Sequence, residues 1–223
     1  MLRILHRLSR LAFAITCCLP GLALGDDATS VDPGFVSLFD GKTLDGWTGA
    51  TKGYTAEDGK IVCQEKGGGN LFTAKEYGDF DLRFEFKLTP GANNGLGIRC
   101  PLTGAPHLEG IEVQIIDDSS EKYKNIKEWQ HHGSIYGVVP AKQGSLKPVG
   151  EWNQEEVIYR GSQVKVIVNG MTIVDADLAK IDKPIDGHEH PGLKRTQGHI
   201  GFLGHGAHVE FRNIRIQDLS SKN

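Results

Sequence analysis

The sequence has little that would suit a nucleic-acid-binding or membrane-spanning protein. Its formal net charge is -3, and loss of a leader containing Arg3, Arg7 and Arg10 would leave 22 of the 25 basic side chains against 28 acidic ones. Nucleic acids and anionic membranes bind clustered lysine and arginine, so neither is an expected partner. No apolar run is long and unbroken enough to predict a membrane span. The sequence also lacks a long amphipathic helix, a repeat of fixed period and a low-complexity linker.

Cysteine is scarce as well. Two of the four cysteines, Cys17 and Cys18, lie in the leader, so only Cys63 and Cys100 remain beyond it. In an oxidising compartment these two could form a disulfide, and two isolated cysteines are equally typical of small buried hydrophobic residues. Both interpretations stay open at this point.

The first 25 residues have the pattern of a signal peptide. The three arginines precede an apolar run over residues 11–24, which Pro20 and Gly21 interrupt. Within Ala23-Leu24-Gly25, Ala23 and Gly25 are small residues at the spacing that signal peptidase requires. A lipoprotein signal at Cys17 or Cys18 is the less favoured alternative. We therefore expect export to the periplasm or the extracellular space. The predicted organisation is a spacer over residues 26–33, one domain over 34–219 and a tail over 220–223.

Short strands separated by turns run through the rest of the chain. The clearest is residues 79–88, in which every second residue from Phe80 to Leu88 is apolar and the residues between them are charged. Asn169-Gly170, between two alternating segments, is the strongest short-range signal of a hairpin. About a dozen such strands with Gly, Asn and Asp turns predict an all-β, antiparallel β-sandwich of jelly-roll type.

Residues 110–118 carry the most unusual polar pattern in the sequence. Ile111, Val113 and Ile115 fall on one face of a strand, while Glu112 and Gln114 fall on the other. On the preceding strand, Arg99 has the same parity as two glycines, which leave the surface beneath any bound group free of side chains. If the two strands are neighbours, we expect these polar side chains to share one face of the sheet. A merely solvated strand face is the alternative.

Several short motifs, in order, resemble the 3-keto-disaccharide hydrolase domain family, whose members are also described as 3-keto-glucoside lyases or 3-keto-2-hydroxyglucal hydratases. The motifs are Phe39-Asp40-Gly41-Lys42 with Leu44 and Trp47, Asp79-Phe80, Asn94-Gly95 with Arg99, Glu112 to Asp117, Gly133 to Gly137, Gly150 to Asn153, Asn169-Gly170, and Gly201 to Ile216. The resemblance covers about residues 34–219. It implies a concanavalin A-like lectin/glucanase sandwich in an exported bacterial protein. The chain departs from the family pattern at Leu203 and Gly204, where Gln and Asp are usual, and at Asn93-Asn94-Gly95, where Asn-Ser-Gly is usual.

The resemblance also implies a reaction on a small saccharide, a 3-keto-glycoside. A ketone at carbon 3 acidifies the proton on carbon 2, so a base that removes this proton allows the group on carbon 1 to leave, and addition of water completes net hydrolysis. Glu112 and His205 are the candidate base and acid, in either order, and Arg99 is the candidate enolate or hydroxyl clamp. The candidate substrate-orienting residues are Gln114, Asn94, Tyr136 and His132.

The remaining histidines leave alternatives open. His131 and His132 either border the cleft or lie in a solvated loop, and His205 is either a site residue or a buried structural histidine. His188 and His190 have the spacing of a metal chelate, although Pro191 and the polar surroundings favour a surface loop. A divalent metal ion held by Glu112 and a histidine would stabilise the enolate, and the sequence leaves its presence open.

Two other classes of function compete with the enzyme. A non-catalytic, lectin-like carbohydrate-binding module would have the same fold, because fold does not fix function. A structural or interaction domain of the cell envelope would show no dependence on saccharides, and the glycine-lined polar face argues against it. The sequence leaves the oligomeric state and the exact substrate open.

Overall fold

The computed structural model describes residues 33–220, and within them thirteen strands form two antiparallel sheets. The predicted signal peptide, most of the spacer and residues 221–223 lie outside the described residues. The strands are β1 (Val36–Ser37), β2 (Trp47–Gly49), β3 (Tyr54–Glu57), β4 (Lys60–Cys63), β5 (Gly69–Tyr77), β6 (Phe80–Leu88), β7 (Asn93–Cys100), β8 (Ile111–Ile116), β9 (Trp152–Arg160), β10 (Gln163–Val168), β11 (Met171–Asp177), β12 (Gly198–Gly204) and β13 (Val209–Asp218).

The two sheets pack face to face as a β-sandwich, which confirms the predicted fold class. The first sheet has the order β11-β10-β9-β6-β13-β4-β3, with β1 paired to β13. The second has the order β2-β5-β12-β7-β8. Strands that are distant in sequence are neighbours in both sheets, so the site described below depends on long-range pairing.

The core between the sheets follows from alternation within the strands. Phe80, Leu82, Phe84, Phe86 and Leu88 of β6 are all buried, as their period of two predicts. They meet the other sheet through aromatic contacts, in which the Phe84 ring lies 5.8 Å from that of Phe202. Burial of such rings supplies most of the favourable free energy that holds the sheets together.

The hairpin predicted at Asn169-Gly170 is also confirmed. Asn169 and Gly170 both have positive φ, of 50° and 82°, as the tight turn of the β10–β11 hairpin requires. In β13 the register shifts between Arg212 and Arg215, and Asn213 has a φ of 55°, so a β-bulge is present there.

Irregular segments cover one edge of the second sheet. Residues 133–139 lie against β8, because Gln114 and Ser134 form a backbone hydrogen bond of 3.0 Å and the Tyr136 amide donates to the Glu112 carbonyl oxygen at 2.9 Å. Beside them is a one-turn α-helix, α1 (Pro106–Glu109). The 3-10 helices are Thr51–Gly53, Glu121–Tyr123, Glu128–Gln130, Leu178–Lys180 and Pro191–Lys194. Of the helices in residues 33–220, none has the length and apolar character needed to cross a membrane.

Candidate active site

Glu112 and Gln114 lie on the face of β8 that points away from the core. Ile111, Val113 and Ile115, on the opposite face, are part of the core, as alternation predicts. All six residues of β8 are nevertheless buried, because the segments beside it cover its polar face. The pair is therefore enclosed, whereas the polar face of an ordinary edge strand is solvated.

A glycine on β7 makes room for the Glu112 carboxylate. A Cβ atom on Gly95 would collide with Glu112 Oε1, so any larger residue at this position would displace the carboxylate. Gly97, which pairs with Glu112 across the two strands, is covered by Cys100 and Leu203. The predicted glycine floor therefore exists, and it places the carboxylate over bare backbone.

The carboxyl group of Glu112 is isolated from other charges. Among residues 33–220 it has no hydrogen-bond or ion-pair partner, and burial raises its pKa to about 8. Leu203, Phe72 and Cys100 form an apolar cluster on the same face of the sheet, which limits solvation of the carboxylate. At neutral pH Glu112 is therefore mainly a neutral acid, able to donate a proton.

Glu112 opens into a cavity of about 200 Å³, which we call the Glu112 cavity. This volume is below the roughly 300–1,000 Å³ typical of sites for drug-sized ligands, so the cavity suits a small polar one. The residues that line it are Asn93, His107, Glu112, Gln114, Ile116, Tyr123, Ile126, Gln130, Tyr136 and His205.

Two hydrogen-bond donors in the cavity are oriented by contacts behind them. Gln114 Oε1 accepts a hydrogen bond from the Ile115 amide at 3.1 Å. This bond fixes which end of the side-chain amide faces the backbone, so the NH2 group is the end that can donate to a ligand. Gln130 Nε2 donates to the Tyr136 hydroxyl oxygen at 3.1 Å, and the Tyr136 O–H can therefore donate elsewhere. Trp129 supports the Tyr136 ring by an edge contact at 4.9 Å.

Two histidines complete the polar wall. His205 follows the end of β12, and desolvation by its neighbours, with a smaller contribution from nearby Lys122, lowers its pKa below the usual value. Burial likewise lowers the pKa of His107, and neighbouring histidines lower it further. Both imidazoles are therefore mainly neutral at pH 7 and able to accept a proton, while Glu112 holds one. Environments that separate the pKa values of an acid and a base in this way are typical of acid–base sites.

The structure thus brings together four of the seven residues predicted from the sequence: Glu112, Gln114, Tyr136 and His205. It adds residues that the sequence reasoning missed, chiefly His107, Asn93 and Gln130. Asn93 has the parity of Gly95 and could have been found by continuing the alternation of β7 backwards. His107 and Gln130 lie on short irregular helices, where no periodic pattern marks their direction.

The structure does not bring Arg99 to the Glu112 cavity. Its φ of 50° breaks the alternation at the end of β7, so Arg99 points away from the cavity and Cys100 takes its place on that face. The buried guanidinium donates to the carbonyl oxygens of Gly78, Gly161 and Arg195 and to Asp79 Oδ1, at 2.9 to 3.1 Å. It also lies over the Tyr159 ring, 3.8 Å from the centroid. Arg99 therefore ties three loops together, and it lies outside the Glu112 cavity.

Asn94 also lies outside the Glu112 cavity. It has the parity of Leu96 and Ile98, so it points into the sandwich, is fully buried and lies against Tyr54 and Cys63. Its Oδ1 accepts a hydrogen bond from the Gly95 amide at 2.9 Å. A ligand in the Glu112 cavity meets Asn93 instead.

His132 does not line the Glu112 cavity. Its Nδ1 accepts a hydrogen bond from the Ile116 amide at 3.4 Å, and its ring lies 5.0 Å from that of Phe86 in the core. Nε2 is 3.6 Å from Glu155 Oε2, and both side chains are buried. His131, the preceding residue, pairs with a different carboxylate: its Nδ1 lies 3.0 Å from Asp118 Oδ1.

Metal-ligand geometry is lacking within residues 33–220, where no cluster of three or more His, Cys, Asp and Glu side chains could hold an ion. His188 is exposed, as a surface loop predicts, but His190 is buried against α1. The two therefore do not form a chelate. Cys63 and Cys100 are both free and buried, which agrees with the structural alternative for them.

Trp47 and Trp152, two aromatic side chains large enough to stack on a sugar ring, both have structural contacts instead. Trp47 is buried and donates its indole N–H to the Leu38 carbonyl oxygen at 2.9 Å. The guanidinium of Arg212 and the ammonium of Lys87 lie over the Trp152 ring, 4.0 Å and 5.0 Å from its centroid. Neither residue is among those that line the Glu112 cavity.

Comparison with known proteins yields relatives with related folds and sequences. A curated 3-keto-disaccharide hydrolase of Bacteroides thetaiotaomicron is 26% identical, over 83% of this chain and 79% of the relative. A crystal structure from Parabacteroides distasonis, described as a candidate glycosyl hydrolase, is 30% identical and superposes with a TM-score of 0.74 over 83% of this chain and 99% of that one.

More distant neighbours share only the fold. A Bacillus subtilis protein described as having a galectin-like fold is 11% identical, with a TM-score of 0.53 over 78% of this chain and 90% of that one. The lectin-like sandwich is therefore shown by independent structures. A family model, the 3-keto-alpha-glucoside-1,2-lyase-like domain, matches residues 34–217, which include both sheets and the whole Glu112 cavity. The chain belongs to this family.

Proposed function

We propose that this protein is a carbohydrate-active enzyme that cleaves 3-keto-glycosides by elimination followed by hydration. The observation that carries the proposal is the Glu112 cavity, in which a neutral buried carboxyl group faces neutral imidazoles. Family membership and the names of the relatives support the same substrate class. A binding module would gain little from a carboxyl group whose pKa is raised by burial, whereas general acid catalysis requires one.

In the first step His205 takes the proton from carbon 2 of the keto sugar. The electron pair of the broken C–H bond moves into the carbonyl group and gives an enolate. The Gln114 amide and the Tyr136 hydroxyl, both oriented by contacts behind them, donate hydrogen bonds to sugar oxygens and to the enolate oxygen. These neutral donors take the place that the sequence assigned to Arg99.

In the second step the ketone re-forms, a double bond forms between carbons 1 and 2, and the bond from carbon 1 to the leaving oxygen breaks. Glu112 gives its proton to that oxygen. Glu112 on β8 and His205 at the end of β12 are separated by β7. Two strand spacings together amount to roughly 10 Å, which leaves room for a sugar ring between the two side chains. Water then adds at carbon 1 and a proton returns to carbon 2, so the net reaction is hydrolysis.

The reaction is proposed to take place after export, on the basis of the charged and apolar pattern of residues 1–25. Amino-terminal sequencing of the protein recovered from the cell envelope fraction would test this. A chain that keeps its leader and stays in the cytosol would contradict it.

The decisive experiment is release of free sugar from a 3-keto-glucoside, with the unoxidised glucoside as the matched control and each assay repeated with a chelator. We expect turnover of the keto substrate alone, because only the ketone acidifies carbon 2. Turnover of both substrates would contradict the elimination chemistry. Saturable sugar binding without turnover would support the lectin-like module instead, and sensitivity to the chelator would add a metal ion to the reaction.

A further inference from the structure

Asn93 is a polar residue of the Glu112 cavity to which the reaction proposed above gives no role. It is the first residue of β7 and pairs with Ile116, so its side chain lies on the same face of the sheet as Gly95. Asn94 points into the sandwich instead and is fully buried. Only the first of these two adjacent asparagines can therefore meet a ligand in the cavity.

The side-chain amide of Asn93 forms no hydrogen bond within the described part of the chain. Its Oδ1 is buried without a partner among residues 33–220, whereas its Nδ2 is not enclosed. The amide therefore presents its NH2 end to the cavity, and an NH2 group can only donate. A buried amide that finds no partner in the protein is typical of a site that a ligand or a water molecule completes.

The pairing of β7 with its two neighbours places Asn93 beside the proposed base. Gly97 of β7 is level with Gly201 of β12 on one side and with Glu112 of β8 on the other. Four residues toward the start of β7, the same antiparallel register brings His205 level with Asn93, and both residues line the cavity. Asn93 is thus a neighbour of the proposed base, and four residues along the strand separate it from the position of the proposed acid.

This order of residues matches the order of the carbons in a keto sugar. The proposed acid serves the leaving oxygen on carbon 1, and the proposed base takes the proton from carbon 2. The ketone on carbon 3 is the next group in the same direction, which is the direction of Asn93. When the proton is removed, the electron pair of the C–H bond moves into the ketone, and the oxygen on carbon 3 becomes an enolate that accepts a stronger hydrogen bond.

We propose that Asn93 is a catalytic residue that donates a hydrogen bond from Nδ2 to the oxygen on carbon 3 as that oxygen becomes an enolate. This inference rests on the proposed function and names the residue that stabilises its first intermediate. Gln114 and Tyr136 remain donors to the sugar, and Asn93 adds the donor that lies beside the base. A donor aimed at an oxygen that gains charge during the step stabilises the transition state more than the bound substrate.

Two substitutions remove the donor. Asn93→Asp keeps the shape of the side chain and replaces the NH2 group with a carboxylate oxygen, which repels an enolate. Asn93→Ala removes the whole amide. On a 3-keto-glucoside we expect kcat to fall by roughly 10²- to 10³-fold in both variants, the usual effect of removing one donor to a developing oxyanion. KM should change by less than about tenfold, because the ketone of the bound substrate is the weaker acceptor.

The matched control is Asn125→Ala, which changes an exposed asparagine next to the cavity residue Ile126. This variant should keep kcat and KM within about twofold of the unmodified protein. A kcat for Asn93→Asp that equals the kcat of the control would overturn the proposal. A higher KM with unchanged kcat would also overturn it, because Asn93 would then bind substrate and transition state equally well.

Hydrogen exchange separates formation of the enolate from departure of the leaving group. Free 3-keto-glucose in deuterium oxide exchanges the proton on carbon 2 through the same enolate, and it has no glycosidic bond to break. Proton NMR follows the loss of the carbon-2 signal. The unmodified protein and Asn125→Ala should accelerate this exchange equally, and the acceleration by Asn93→Asp should be roughly 10²-fold smaller. Equal acceleration by all three proteins would overturn the proposal, because the enolate would then form without the Asn93 donor.

A binding measurement decides the contact without any turnover. The side-chain NH2 resonances of Asn93 are assigned by their loss in Asn93→Asp, and 3-keto-glucose is added to the isotopically labelled, unmodified protein. We expect the Asn93 resonances to shift on saturation while those of Asn125 stay in place. 3-Deoxyglucose, which lacks the oxygen on carbon 3, should leave both sets in place.

The two kinds of failure are distinguishable in this experiment. If the Asn93 resonances shift but neither exchange nor turnover occurs, Asn93 does bind the carbon-3 oxygen, and it is the proposed function that fails. If the Asn93 resonances do not move when 3-keto-glucose is saturating, the assignment of Asn93 is overturned, whether or not the protein turns over a keto sugar.

Discussion

Two glutamates on opposite sheets of the sandwich are buried to a similar degree and differ in what surrounds them. Glu112 on β8 and Glu155 on β9 are 6% and 2% exposed, and burial raises the pKa of each to about 8. Glu112 opens into a cavity lined by polar groups, whereas Glu155 points into the core toward His132, whose pKa burial lowers to about 3. A raised pKa therefore marks burial in both cases, and access to a ligand distinguishes the candidate site.

The largest expected effect is on turnover, and it tests whether the two glutamates really differ. Glu112→Gln removes the proton donor without changing the volume of the side chain, so we expect kcat on a 3-keto-glucoside to fall by roughly 10²- to 10⁴-fold. Glu155→Gln, an equally buried and equally conservative change, is the matched control and should leave kcat within about twofold.

The pH profile sharpens the same test. Turnover needs protonated Glu112, so kcat should decline above about pH 8 in the unmodified protein and in Glu155→Gln alike. Loss of this alkaline decline in Glu155→Gln would show that the wrong glutamate has been assigned to the chemistry.

A smaller effect on turnover is expected from the glycine beneath Glu112. Gly95→Ala places a methyl group against Glu112 Oε1, and displacement of the carboxyl group should lower kcat/KM by up to about 100-fold. Gly97→Ala, on the same face, meets Cys100 and Leu203 instead. Both variants overpack the sheet and should lose about 1–3 kcal/mol of stability. Equal turnover per folded molecule in the two variants would contradict the role of Gly95.

The smallest expected effect concerns stability, and it isolates Glu155. Its pKa is about 8 in the folded protein and near 4.5 in the unfolded chain, so below pH 4.5 both states are protonated. As the pH rises from 4.5 to 8 only the unfolded chain ionises, and stability is lost across this window. Glu155→Gln removes the ionisation, so at pH 8 the variant should be more stable by on the order of 1–3 kcal/mol.

Thermal unfolding of both proteins at pH 4 and pH 8 measures this difference in stability. Each kcal/mol should shift Tm by about 2–4 °C. The exposed Glu151→Gln is the control and should change Tm at neither pH. A Glu155→Gln variant that is less stable than the unmodified protein at pH 8 would mean that an ionised Glu155 stabilises the fold, through His132.

Local sequence patterns were enough to predict the strands and the side of β8 on which Glu112 and Gln114 lie. Alternation in β6 and β8 is a property of an extended chain, so it predicted the buried face of both strands and placed the pair together. The turn at Asn169-Gly170 and the bulge at Asn213 were predictable for the same reason, because the φ angles they need are set by a few adjacent residues. The order of the short motifs along the chain was likewise enough to identify the family.

Which polar residues meet at the site depended on the tertiary structure. Alternation did not locate Arg99 correctly, because its own φ of 50° breaks the alternation at the end of β7 and no local sequence signal indicates this. His107 and Gln130 lie on short irregular segments, whose direction is set by contacts with distant parts of the chain. The pKa of Glu112 could not be predicted from the sequence for a similar reason. That pKa depends on the atoms that exclude water from the carboxyl group, and these atoms do not belong to the residues beside Glu112 in the chain.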